Sequence, residues 1–149
     1  MTLQQWADNG WLESHITSAE EIANLLAIVD RDLSDAGEEI SADWRFGIAD
    51  NAALKLCTIL LYAGGYRAAR TLQHYRTIQA LPLILGPKHR PDATYLDACR
   101  KKRNNVEYDY VGGATDDEAS ELAAFVVELR EKVLDWLKQY HHHLTKSPG

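Results

Sequence analysis

Apolar residues recur along this chain at three- and four-residue steps with polar residues between them, the spacing of amphipathic helices. Ile22, Leu25, Leu26, Val29 and Leu33 form one such stripe. Ahead of it stand Thr17 and Ser18 as N-caps, and Ser18 with Glu21 has the spacing of a capping box. Gly37 is the expected stop. Ser41 can cap a second long helix reaching about Ala63, with Trp44, Ile48, Ala52, Leu56, Ile59 and Leu60 on its apolar side. Residues 54–62 are apolar in nearly every direction, which predicts the central and most buried helix. Gly64-Gly65 ends it.

Residues 65–70 read as a loop, and Thr71 starts a third helix carrying Leu72, Tyr75, Ile78, Gln79 and Leu81. Pro82 falls late in that run and Gly86-Pro87 closes it. After a polar loop over residues 88–92, a further helix starts near Asp92 or Ala93 and runs into residues 100–108. Gly112-Gly113 interrupts the chain again. Thr115 with Glu118 is a capping box for the last helix, whose stripe is Leu122, Phe125, Val126, Leu129, Val133, Trp136, Leu137 and Tyr140. Residues 3–13, with Trp6 and Trp11, predict a short helix laid against the rest. No strand pattern competes. The expectation is an all-α protein, an antiparallel bundle of four to five helices over residues 1–144 with a frayed tail at 145–149.

Composition changes this picture little. A chain of 149 residues, 46% hydrophobic and 26% charged, fits one domain with a real core and excludes the disordered and fibrous classes. The formal charge of −6 argues against a non-specific nucleic-acid binder but leaves room for a local basic site. Six basic residues lie between positions 88 and 103, namely Lys88, Arg90, Arg100, Lys101, Lys102 and Arg103, with Asp92 and Asp97 as the acids among them. Cys57 lies in an apolar run and reads as a buried thiol, and Cys57 and Cys99 have neither metal-site nor disulfide spacing. The N-terminus carries no signal-peptide pattern, and Lys55 interrupts the longest apolar stretch, so a cytoplasmic, non-membrane protein is expected. His141-His142-His143 is compatible with a solvent-exposed helix end as well as with metal binding. No metal site or cofactor is expected.

The candidate chemistry lies in residues 100–110. Arg100 and Arg103 are one helical turn apart and can bracket an anion such as a phosphate. Arg103 with Glu107, and Asn104 with Tyr108, share faces at four-residue spacing; an ordinary solvated helix end with an Arg103–Glu107 pair fits the same residues.

The run Arg103-Asn104-Asn105-Val106-Glu107-Tyr108-Asp109-Tyr110 resembles the motif of HEPN domains, which are small helical bundles. Ribonuclease members carry Arg, a polar residue and then His after four to six residues; those paired with minimal nucleotidyltransferases read Arg-x4-His-x-Tyr. Here Arg103 and Tyr110 match, while Tyr108 holds the histidine position. Upstream, Gly65-Tyr66-Arg67, His74 and Ile78-Gln79-Ala80-Leu81 are similar to the branch with an Arg-Asn-x-x-Glu-Tyr-Asp segment, so the resemblance covers about residues 53–110.

The resemblance implies a homodimer that binds RNA, a nucleotide or a partner protein through Arg100, Arg103, Asn104, Glu107, Tyr108 and Tyr110. It also implies an alternative, a metal-independent endoribonuclease toxin of a toxin–antitoxin or defence system. Tyrosine, with an ordinary pKa near ~10, is a poor general base at neutral pH, so that alternative has Arg103 and Asn104 at the phosphate as catalytic residues and needs Tyr108 or His74 in place of the missing imidazole. A third reading is a structural interaction module partnering a nucleotidyltransferase antitoxin. Tyr110 stands where nucleotidyltransferase-paired toxins are adenylylated, or simply packs beside Gly112-Gly113.

Overall fold

The computed structural model describes residues 1–108 and 113–145, with only the backbone for 105–108. Four long helices build it: α2 (Ala19–Ala36), α3 (Ala42–Ala63), α6 (Arg90–Tyr108) and α7 (Asp116–Tyr140). Shorter pieces fill the gaps: α1 (Leu3–Asp8), α4 (Gln73–Gln79), α5 (Leu81–Leu85), and 3-10 turns at Pro87–His89 and His142–Thr145. A two-stranded antiparallel ladder pairs β1 (Leu12–Ser14) with β2 (Tyr66–Ala68).

Helix α3 is the axis of the protein. It packs against α2, α4, α5, α6, α7 and β2, and Ala49, Ala52, Leu56, Ile59 and Leu60 have no measurable solvent exposure. By length and composition alone it could cross a membrane, yet most of its apolar window is buried inside the bundle. The neighbouring helices contribute the stripes that periodicity marks out: Ile22 and Val29 from α2, and Leu122, Val126, Leu129, Val133 and Leu137 from α7. Cys57 and Cys99 are buried free thiols. Burial pushes the thiol of Cys57 up to about 12, which makes it an inert core group.

Local signals explain most boundaries. Thr115 Oγ1 accepts from the backbone of Glu118 while the Glu118 carboxylate accepts from the Thr115 amide, a complete capping box. Ser41 caps α3 through the amide of Trp44. Ser18 caps α2 by accepting from the Glu21 amide, but the expected reciprocal half is replaced. The Glu21 carboxylate turns back to His15 and Thr17 instead, at 2.7 Å from each, an ionisable and a hydroxyl partner that outcompete a neutral amide.

Elsewhere the chain departs from its local reading. The segment after Gly65 is a strand, because residues 12–14 supply a ladder partner more than fifty positions away. The N-terminal helix stops at Asp8 and hands over to β1, with Trp6 and Trp11 in edge-to-face contact at 5.8 Å. The helix expected from Thr71 is two short ones, broken at Ala80, with Pro82 in the first turn of the second where its missing N–H costs nothing. The polar loop after Pro87 is a 3-10 turn running directly into α6 at Arg90, and His89 Nδ1 lies 2.8 Å from Asp92 Oδ2. At the C-terminal end Thr145 Oγ1 donates to the His142 carbonyl at 2.7 Å, in a turn that buries Leu144; residues 146–149 lie outside the described residues.

Leu72, just before α4, has φ 54° and ψ 34° and is largely exposed. A left-handed L-residue costs about 1–2 kcal/mol, against a glycine entropy penalty of about 0.5–1 kcal/mol. Leu72→Gly is therefore expected to stabilise the protein by about 0.5–1 kcal/mol, raising the thermal midpoint by about 2 °C. A lowered midpoint in a calorimetric scan would contradict this.

A polar cleft between α3, α4 and α6

The basic run at residues 100–103 is dealt around α6 by the 100° step of the helix, and each cation meets a different neighbour. Lys102 reaches across to α7, its Nζ 2.9 Å from Glu118 Oε2. That contact is the first cause holding the Glu118 carboxyl below its usual range. Lys101 stays outside, 3.4 Å from Asp97. Arg100 and Arg103, one turn apart, face α3 and α4.

There they line a cleft of about 220 Å³ together with Asp50, Asn51, Leu54, Lys55, His74, Ile78 and Asn104. Each helix contributes side chains at one-turn spacing: 50, 51, 54 and 55 from α3; 74 and 78 from α4; 100, 103 and 104 from α6. Three cations stand against one carboxylate on these walls. Arg100 is oriented by its own helix, Nε donating to Asp97 Oδ1 at 2.9 Å. Arg103 is oriented by α3, with Nη1 3.6 Å from Oδ2 of the buried Asp50. Lys55 has no ion-pair partner among the described residues.

His74 sits at the mouth as an exposed residue. Partial desolvation by the walls lowers its pKa first, and the positive charges of Lys55, Arg100 and Arg103 add to this. Both influences favour the uncharged imidazole over the imidazolium. A histidine whose folded pKa lies below its unfolded value of ~6.5 contributes stability above that value, and the contribution is lost as pH falls through the folded pKa. His74→Gln is expected to reduce the loss of stability on going from pH ~7.5 to ~5. Urea midpoints at the two pH values check this; equal losses in both proteins would show that His74 titrates as it does unfolded.

Of the residues singled out in the sequence, Arg100, Arg103, Asn104 and His74 thus meet in one cleft. The side chains of Glu107 and Tyr108, and the whole of Tyr110, lie outside the described residues. Asp50 is one partner of Arg103. Among the described residues no group of histidine, cysteine and carboxylate side chains is arranged to hold a metal ion, the run at 141–143 included.

Sequence reading missed Asp50, Asn51 and Lys55, and with them the buried Asp32. Asp32 accepts from Asn51 Nδ2 at 2.7 Å and from Arg31 at 2.9 Å, tying α2 to α3 behind the cleft. The signal was present: Asp50-Asn51 and Lys55 are polar residues on one face of the mostly apolar stretch from Phe46 to Ala63, and a buried helix keeps such residues where they have partners or a function. Comparison with protein-family models, curated proteins and solved structures yields no match.

Proposed function

We propose that this chain is a cytoplasmic, HEPN-like helical domain that binds RNA through its phosphate backbone in the cleft between α3, α4 and α6. The observation that carries the reading is the convergence of Lys55, Arg100, Arg103, His74 and Asn104 on one concave surface of a protein whose overall charge is −6. Guanidinium groups held by carboxylates keep donors in fixed directions, which suits planar, bidentate recognition of phosphate. Asn104 adds an amide at the rim. The resemblance of residues 103–110 to the HEPN motif supplies RNA as the anion and a homodimer as the assembly, with residues 100–110 of two chains facing each other.

A second reading, metal-independent RNA cleavage, is favoured by one observation: the imidazole of His74 shares the cleft with Arg100 and Arg103. In that reaction a ribose 2′-hydroxyl attacks the adjacent phosphorus and His74 takes its proton. The bond to the 5′-oxygen breaks, that oxygen takes a proton from a water whose hydroxide takes the proton back from His74, and a 2′,3′-cyclic phosphate is left. Incubating the protein with a mixed RNA pool tests both readings. Retention that falls steeply with salt and leaves the RNA intact is the expected result. Cleavage that disappears in His74→Ala would establish the second reading, and neither retention nor cleavage would remove both.

A further inference from the structure

The cleft does not end at Arg103. Asn51 and Arg103 also line a second depression, of about 190 Å³, with Arg31, Asp32, Trp44, Gly47 and Ile48. Positions 44, 47, 48, 51, 54 and 55 lie along one face of α3, so the two depressions, which share Asn51 and Arg103, lie in line beside that helix and together make a groove-like surface. From Trp44 to Lys55 it extends roughly 16 Å, at 1.5 Å per residue.

Its two ends differ in chemistry. The Lys55 end carries the cations described above. At the other end stands Trp44, which is 68% exposed. The remaining three tryptophans are partly buried, and each has an aromatic or cationic partner: Trp6 with Trp11, Trp11 also beneath Arg76, and Trp136 with Tyr140. Trp44 has no ring partner among the described residues. An indole left in water on a helix face, beside a polar depression, is a free stacking surface. The carboxylate of Asp32 lies on this side, held by Arg31 and Asn51.

We infer that Trp44 stacks on the base of an unpaired nucleotide whose phosphate is held at Arg103, so that the groove takes single-stranded rather than duplex nucleic acid. The inference rests on the phosphate-binding reading above and adds the substrate class. In a duplex the base faces are stacked and the edges paired, so a tryptophan beside the backbone contact finds no open ring. In a single strand every base offers one, and stacking of this kind tolerates sequence.

The test uses the full chain with three probes: a labelled single-stranded RNA ten-mer of mixed sequence, the same sequence annealed to its complement, and unlabelled tripolyphosphate as competitor. Wild-type protein is expected to prefer the single strand about tenfold. Trp44→Ala is expected to weaken single-strand binding about tenfold or more, while Trp44→Phe, which keeps an aromatic face, stays within about threefold of wild type. Competition by tripolyphosphate is expected to be unchanged in Trp44→Ala, because that probe carries no base. Thermal melts confirm that this exposed substitution leaves the fold intact. Equal affinity for single strand and duplex overturns the inference, as does a Trp44→Ala variant that binds like wild type. Either result, with tripolyphosphate still competing, leaves the phosphate cleft standing. Failure of both RNA and tripolyphosphate to bind removes the cleft reading and this inference together.

Discussion

Replacing Arg100 and Arg103 together with alanine is expected to lower the affinity for single-stranded RNA about a hundredfold or more. Hydrogen bonds to charged groups contribute about 1.5–3 kcal/mol each, and 1.4 kcal/mol is tenfold, so two lost guanidinium–phosphate contacts reach that range. The dependence of binding on salt should weaken at the same time. Each phosphate neutralised on a single strand contributes ~0.7 to the log–log salt slope, so the double variant should show a slope shallower by ~1.4.

The substitution also has a structural side: removing Arg100 leaves Asp97 with Lys101 at 3.4 Å, and Arg103 is 27% exposed and offsets a carboxylate that is 7% exposed. Removing one partner of a fully buried pair costs about 3–5 kcal/mol. Here the partial exposure of Arg103 and its 3.6 Å separation from Asp50 reduce the expected loss to about 1–2 kcal/mol. Adding Asp50→Asn separates the two effects. Neutralising the carboxylate should recover stability in urea titrations, while RNA affinity stays low in anisotropy titrations. An Arg100→Ala/Arg103→Ala protein that binds RNA as wild type does would show that the cleft is not where phosphate is held.

The second large effect is on the fold. Leu60→Ala is expected to destabilise the protein by about 3–5 kcal/mol. Leu60 lies on α3 within the main core and is fully buried, so its loss removes apolar transfer energy and leaves a cavity that the surrounding helices only partly close. Against a typical total of about 5–15 kcal/mol, such a change shifts the urea midpoint by a large fraction of its value at constant slope. A loss below about 1 kcal/mol would mean that α3 can repack and is not the rigid axis of the bundle.

Both expectations depend on the same helix, which holds the core on most of its faces and the cleft on one. That division was partly legible in advance. The apolar run at residues 54–62 marked α3 as central. Asp50, Asn51 and Lys55 in the same helix marked the face that is not core, yet their spacing alone named no partner. On α6 the pattern fared similarly. Arg100 and Arg103 were identifiable as one face, but nothing local distinguished a solvated helix end from a cleft wall. The packing of α4 and α6 against α3 made that distinction.

What the sequence determined by itself are the features governed by near neighbours along the chain. The long helices follow from periodicity. Their starts at Ser18, Ser41 and Thr115 follow from side chains that reach the first-turn amides three residues on, and their stops at Gly37 and Gly64 from the break in that pattern. What only the tertiary structure decided are the features whose partners are far away in sequence. The pairing of residues 12–14 with 66–68 is one. The turn of Glu21 toward His15 is another, since His15 is held where its amide donates to Gly65. The meeting of His74 with Arg100 and Arg103 over a floor of Asp50 and Lys55 is the third. Each depends on which helix faces lie against each other, a choice made by burial of the whole core and not by any single segment.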